Sequence, residues 1–105
     1  MKPTNKKSHC KSRIGDIAEH YALTWLWDNG YEVFLNPGSS GPIDLIAYKD
    51  GECILVDVKT MQKDARYDVY TNRCVRSPLQ KEIGVVFLGF NPKNRKLSWI
   101  KHRET

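Results

Sequence analysis

Three charged residues near the middle of the chain, Asp44, Asp57 and Lys59, have the types and spacing for metal-assisted hydrolysis. The Asp-Gly dipeptide at 50–51 lies between two β-rich runs, which is a strong signal for a β-hairpin. A two-residue or a four-residue turn centred there gives the same register, with Asp44 opposite Asp57. Because side chains alternate along a strand, Lys59 shares the face of both carboxylates.

Two directly opposed carboxylates need a compensating partner, since like charges facing each other in a sheet destabilise it by up to ~1 kcal/mol. A divalent cation is the simplest partner, and Mg²⁺ prefers hard oxygen ligands such as Asp44 and Asp57. No histidine or cysteine stands at a matching position, which disfavours zinc. The alternative is that Lys59 only neutralises two surface aspartates.

The flanking pattern predicts the elements that hold these residues. Ser12 is suited to cap a helix that runs to about Asn29 and stops at Gly30. Ser77-Pro78 is a cap followed by proline at the first helical position, so a short helix is expected there. Residues 61–76 show no clear period. The predicted strands cover residues 31–35, 43–48, 53–60, 85–90 and 96–100.

Length and composition predict one globular domain over 12–105, preceded by a flexible basic tail at 1–11. The chain has 105 residues, of which 40% are hydrophobic and 28% charged. No apolar run approaches the ~20 residues of a membrane span, and no signal-peptide pattern is present, so we expect a cytoplasmic protein without membrane contact. The three cysteines are an odd number without C-x-x-C spacing and are expected to be reduced thiols.

Positive charge is concentrated at the two ends of the chain. The net charge is +5, yet residues 1–13 carry five cations and no acid, and residues 93–105 carry five cations and one acid. The middle is therefore acidic. Basic ends around an acidic centre suit a protein that grips a polyanion while it concentrates carboxylates at one place, although a solvated basic tail has the same composition.

Two sequence segments resemble a known signature. The run from Gly41 to Ala47 (GPIDLIA), followed by Val-Asp-Val-Lys at 56–59, resembles that of the PD-(D/E)xK nucleases, and Gly-Asp-Ile-Ala-Glu at 15–19 is similar to the helix that precedes it. Within that superfamily, residues 13–60 are most similar to archaeal and phage-type Holliday junction resolvases. Ile43 separates the proline from Asp44, and aspartate replaces the usual glutamate at Asp57. The resemblance implies an α/β, restriction-endonuclease-like core with a central mixed five-stranded sheet flanked by helices.

The same resemblance implies a mechanism, the hydrolysis of a DNA phosphodiester by metal-activated water. Asp44, Asp57 and the Val58 carbonyl would hold Mg²⁺, for which Mn²⁺ can substitute, and Glu19 would help to hold or orient the metal site. Lys59 would orient the water and offset charge in the transition state.

Contacts with branched or duplex DNA are expected from several polar residues outside this centre. The resemblance places Ser39 or Ser40 near the scissile bond and Gln80 along the cleft; the alternatives are ordinary loop residues for the serines and a solvated helix residue for Gln80. Arginines interleaved with tyrosine suit phosphate contacts and stacking, unless they are solvated loop residues. The remaining candidates are Lys11, Arg13, Arg66, Tyr67, Arg73 and Arg76.

A junction resolvase makes two symmetric cuts, so the resemblance predicts a homodimer. Residues 25–27 (Trp-Leu-Trp) spread over about 200° of a helix, so at least one large apolar side chain stays near the surface. Phe34, Phe90 and Trp99 are further interface candidates. The alternatives are a nicking, restriction-like or homing endonuclease of the same superfamily, or a catalytically inactive DNA-binding module. A pure binding module has no reason to keep Glu19 and the whole Asp44, Asp57 and Lys59 set.

Overall fold

The structure, a computed structural model, describes residues 11–38 and 41–101 and opens with an 18-residue helix. Helix α1 spans Lys11–Asp28. It ends as the sequence predicts, because Gly30 has a φ of 89° and Tyr31 N–H donates to the Leu26 carbonyl at 3.0 Å. This left-handed closure turns the chain directly into the first strand.

A mixed five-stranded sheet forms the centre of the protein. Its strand order is β1-β2-β3-β6-β7; β3 and β6 are parallel and the other neighbours are antiparallel. The expected mixed five-stranded sheet is therefore confirmed. The strands span Glu32–Leu35 (β1), Leu45–Lys49 (β2), Glu52–Thr60 (β3), Val86–Phe90 (β6) and Leu97–Trp99 (β7).

The β2–β3 hairpin has the predicted register. Lys49 pairs with Glu52, and the pairing continues to Leu45 opposite Val56. Asp50 and Gly51 both have positive φ, at 53° and 85°, as a type I′ turn requires. The carboxylates at 44 and 57 therefore lie at the end of the hairpin remote from its turn.

The hydrophobic core lies between α1 and one face of the sheet. Ala22 and Leu26 of the helix are fully buried against Leu45, Val56 and Leu88 of three neighbouring strands. Alternation along β3 then directs Asp57 and Lys59 to the opposite face. The apolar face supports the sheet, and the polar face is left for chemistry.

The segment without a sequence period forms a small β-ribbon and then a capped helix. Strands β4 (Gln62–Asp64) and β5 (Val69–Thr71) pair with each other outside the main sheet. Three-residue strands are too short to show a period of two, which explains why the sequence did not predict them. Helix α2 (Pro78–Ile83) begins at the predicted cap, Ser77.

Among the helices of the described residues, none combines the length and the apolar character that crossing a bilayer requires.

Candidate active site

Asp44 lies one residue before β2, and backbone contacts to β3 fix its position. Its N–H donates to the Val56 carbonyl at 2.8 Å, and its carboxylate Oδ2 accepts a hydrogen bond from Val58 N–H at 2.8 Å. The Val58 N–H on the neighbouring strand therefore orients the Asp44 carboxylate.

Asp57 is the buried member of the pair, with only 8% of its surface exposed. Its Oδ2 accepts a hydrogen bond from Gln80 Nε2 at 2.6 Å and lies 3.5 Å from Lys59 Nζ. The carboxyl groups of Asp57 and Asp44 lie close enough for a hydrogen bond between them to raise the pKa of Asp44. The hairpin register therefore brings the two acids into direct contact, as the sequence predicted.

A shared proton accounts for this contact, because two ionised carboxylates cannot hydrogen-bond to each other. Partial burial and the hydrogen bond with Asp57 raise the pKa of Asp44 to about 7, against the lowering effect of the Val58 N–H. Below about pH 7, Asp44 therefore keeps a proton that an ordinary aspartate has already lost. Sites of this kind are typical of catalytic centres, although structural pairs also occur.

Lys59 and Glu19 complete the charged cluster from two different elements. Lys59 Nζ lies 5.1 Å from the centre of the Phe87 ring on β6, which supports the ammonium beside Asp57. Glu19 on α1 is half-buried, and its pKa is raised by burial first and by nearby acids, Asp57 among them. Glu19 therefore lies within electrostatic reach of the pair.

Gln80 joins three parts of the chain through its side-chain amide. Nε2 donates both to Asp57 and to the Pro42 carbonyl, at 2.6 and 2.9 Å, while Oε1 accepts from Ser77 N–H at 3.0 Å. Gln80 N–H also donates to Ser77 Oγ, which makes a capping box. The sequence signal for this role is the Ser-Pro-x-Gln pattern at 77–80, which sets a glutamine at the third helical position but does not reveal its partner.

The donor set suits a hard divalent cation. Asp44 and Asp57 bring carboxylate oxygens close together, and a bound cation would offset their mutual repulsion as the proton on Asp44 does. Within 11–38 and 41–101, no three His, Cys, Asp or Glu residues cluster closely enough to form a metal site by themselves. Two carboxylates with open positions for water and phosphate are nevertheless what Mg²⁺ uses at phosphoryl-transfer sites.

The other predicted site residues lie outside this cluster or in a different environment. Gln80 was expected along a DNA-facing cleft, but the structure buries it at 7% exposure with its amide bound to protein groups. Arg66 is exposed beside Tyr67 and contacts Asp64. Ser39, Ser40 and the side chain of Lys11 lie outside the described residues.

The remaining arginines differ in exposure. Arg13 on α1 and Arg73 after β5 are exposed, and Arg73 donates to the Lys63 carbonyl at 3.2 Å. Arg76 is partly buried and donates to the Val85 carbonyl at 3.1 Å. Arg76 therefore ties the segment before α2 to the segment before β6, and contact with DNA stays a prediction for all three.

Comparisons with known proteins agree with this geometry. The family model described as archaeal Holliday junction resolvase (Hjc) matches residues 10–77, well over half of the chain. A bacterial homing endonuclease, I-Ssp6803I, has a similar structure, with a TM-score of 0.71 and 21% identity over 87% of this chain and 68% of that one. No curated protein matches the sequence significantly. The family match contains Glu19, Asp44, Asp57 and Lys59 and ends before Gln80.

The shared proton predicts how stability depends on pH in the metal-free protein. The native state keeps the Asp44 proton up to about pH 7, whereas the unfolded chain releases it near the ordinary value of 3.8. Between these values the native state binds more protons, so this group's contribution to stability is full below 3.8 and is lost as pH rises to about 7. Asp44→Asn keeps a side-chain donor toward Asp57 but has no titrating proton, so it should remove this pH dependence of the free energy of unfolding.

Urea unfolding in excess chelator between pH 4 and 8 measures this difference. We expect the Asp44→Asn protein to gain stability relative to wild type as pH rises. The exposed Asp28→Asn change is the charge-matched control and should follow wild type. Parallel profiles for Asp44→Asn and wild type would contradict the shared proton.

Proposed function

Because the chain belongs to the archaeal Holliday junction resolvase family, we propose that it cleaves four-way DNA junctions by Mg²⁺-dependent hydrolysis of a phosphodiester bond. The observation that carries this proposal is the contact between Asp44 and Asp57 with Lys59 beside them on the polar face of the sheet. A surface ion pair needs neither the burial of Asp57 nor the amide of Gln80. Both features indicate that the carboxylates are held in one orientation for use.

Each residue of the cluster has a distinct task in this proposal. Asp44 and Asp57 would hold the cation through carboxylate oxygens, and the Val58 carbonyl and Glu19 are further candidate ligands. When bound, the cation polarises the phosphate and lowers the pKa of the attacking water. Lys59 places a positive charge 3.5 Å from Asp57, where it can orient that water and offset the charge that develops on phosphate.

A cytoplasmic location is part of the proposal. DNA is the substrate, and the two cysteines among the described residues, Cys53 and Cys74, are free and exposed, which suits a reducing compartment.

Substitutions at the cluster should separate chemistry from binding. Asp44→Asn, Asp57→Asn and Lys59→Ala should each abolish cleavage of a labelled junction in Mg²⁺ or Mn²⁺ and leave DNA binding largely intact. Lys63→Ala on the exposed ribbon removes the same charge as Lys59→Ala and should retain cleavage. Ca²⁺ should inhibit, because it binds oxygen ligands at longer distances and with looser geometry.

Gel assays on junction, duplex, nicked and single-stranded DNA decide the substrate. Preferential paired cuts in the junction support resolution, whereas preferential cuts in duplex or nicked DNA favour the related endonuclease activities. Wild-type cleavage by Asp57→Asn, or full activity in excess chelator, would contradict the site.

Gln80 generates a second prediction, because its side-chain amide orients Asp57, a metal ligand in this proposal. Gln80→Leu removes the donor to Asp57 Oδ2. Loss of a group that orients a metal ligand typically lowers activity or metal affinity 10–100-fold. We therefore expect the Mg²⁺ concentration for half-maximal cleavage to rise by about tenfold or more, with DNA affinity unchanged. The exposed neighbour Lys81→Ala is the control on the same helix. An unchanged Mg²⁺ dependence would show that Gln80 serves only the fold.

A homodimer is also proposed, and the structure narrows the surface that can form it. Leu26 and Phe90 are buried within the chain and are unavailable, which corrects two of the interface candidates. Trp27, Phe34 and Trp99 are exposed to different extents, at 61%, 60% and 41%. At least one large apolar side chain of the Trp-Leu-Trp run therefore stays at the surface, as predicted.

Phe34 is the best placed of these side chains. Through the register from β1 to β3, it lies on the face that carries Asp57, whereas α1 and Trp27 lie across the sheet. Tyr48 shares that face, and Leu79 and Ile83 add exposed apolar surface on α2. A two-fold contact at the β1 edge of this face would leave the central strand β3 open to DNA and bring two cleavage sites toward one junction.

Sedimentation velocity at micromolar concentration tests the dimer. Wild type should sediment as a dimer, and Phe34→Asp should shift it to the monomer because a charge is buried at the contact. Trp27→Asp, on the other side of the sheet, should leave it dimeric. A wild type that is monomeric both free and on DNA would favour single-strand nicking over resolution.

A further inference from the structure

A groove of about 690 Å³ opens beyond the end of β3, where Met61, two residues after Lys59, is one of its lining residues. One wall is the segment from Thr71 to Val75, the other runs from Ser98 to Lys101, and Met61 lies between them. Met61 follows Lys59 by two residues, and its N–H donates to the Phe90 carbonyl at 2.8 Å. The groove therefore continues the path of β3 beyond Lys59.

The floor of the groove is apolar and closely packed. Gly89 pairs with Lys59 on the neighbouring strand, and a Cβ at Gly89 would lie only 3.0 Å from both Met61 Sδ and Ile100 Cδ1. The two side chains therefore cover the glycine on the same face that carries Lys59. A floor of this kind suits the sugar or base of a nucleotide better than a hydrated ion.

The walls of the groove carry positive charge only. Arg73 stands on one wall and Lys101 on the other, and none of the ten lining residues is acidic. The hydrogen bond from Arg73 Nη2 to the Lys63 carbonyl, at 3.2 Å, uses one of the guanidinium donors and leaves others for a ligand. Two cations on opposite walls favour a chain of phosphates.

The volume of the groove suits a single strand of nucleic acid better than a double helix. A volume of 690 Å³ is in the range of small-ligand pockets, roughly 300–1,000 Å³. A double helix cannot enter such a space, whereas one or two nucleotides of a single strand can. One or two nucleotides of a strand that is unpaired beside the cut are therefore the occupant that the groove fits best.

We propose that this groove holds the scissile DNA strand immediately beside the bond that is cut. Its phosphates contact Arg73 and Lys101, and its sugars and bases lie against Met61 and Ile100. The inference rests on the proposed nuclease function and deepens it, because it assigns a strand-separating subsite to the same active site. The sequence placed Lys101 only within the basic C-terminal end and did not single it out as a DNA contact.

Phosphate neutralisation tests this subsite. The cut is first mapped with wild type, and then two adjacent methylphosphonate linkages are scanned along the scissile strand of a labelled junction. Affinity is measured by fluorescence anisotropy in an Asp57→Asn background, which prevents cleavage. We expect neutral linkages within two nucleotides of the cut to weaken binding about tenfold, the loss of about one charge-assisted contact.

The decisive measurement is the coupling between this change and the groove. In R73A/K101A, the same neutral linkages should have little further effect, because their partners are already gone. The variant K93A/K96A removes two exposed charges from the turn before β7 and should keep the full tenfold effect. Thermal unfolding of both variants checks that the fold is retained.

The groove assignment would be overturned if neutral linkages beside the cut weakened the binding of R73A/K101A as much as that of K93A/K96A. It would also be overturned if neutral linkages weakened binding equally at every position along the strand. In that case a wild type that still cleaves junctions leaves the proposed function standing. A wild type that cleaves no DNA contradicts the proposed function itself, so the two failures are distinguishable.

Discussion

The contact between the carboxyl groups of Asp44 and Asp57 is the constraint on which the rest of the structure depends. Two acids side by side in a sheet repel each other when both are ionised, and burial makes the repulsion stronger. The protein answers with one shared proton, the Val58 N–H on Asp44, and the Gln80 amide and Lys59 ammonium on Asp57. These partners come from β3 and α2, so the arrangement requires both elements to be in place.

This arrangement explains why the two faces of the sheet differ so strongly. The face that presents the acids and the ammonium also buries Phe87, but the principal hydrophobic cluster lies on the other face. There, the small side chains of Ala18 and Ala22 let α1 approach β3 closely, and Leu26 fills the space above the sheet. Burial of one complete leucine-sized side chain contributes ~1.5–3 kcal/mol, so a few such residues offset an unfavourable site.

The sequence predicts the parts of the fold that are set by local signals. The Asp-Gly turn fixes the hairpin register, Gly30 ends α1, and Ser77-Pro78 starts α2; all three are confirmed. From that register alone follows the contact of Asp44 with Asp57. The β4–β5 ribbon was missed because its strands are too short to show a pattern, and the burial of Gln80 was missed because its partners are 23 and 38 residues away.

Gln80 shows why tertiary contacts decide what local signals cannot. Helix α2 has six residues, far fewer than an isolated helix needs to be stable in water. Its cap and its attachment to the sheet use one side chain, whose Oε1 closes the capping box while Nε2 binds Asp57 and the Pro42 carbonyl. Formation of α2 and orientation of Asp57 are therefore coupled, because both depend on hydrogen bonds of the Gln80 side chain. Pro42 also lies two residues before Asp44, so the amide positions both acids of the pair from a single point.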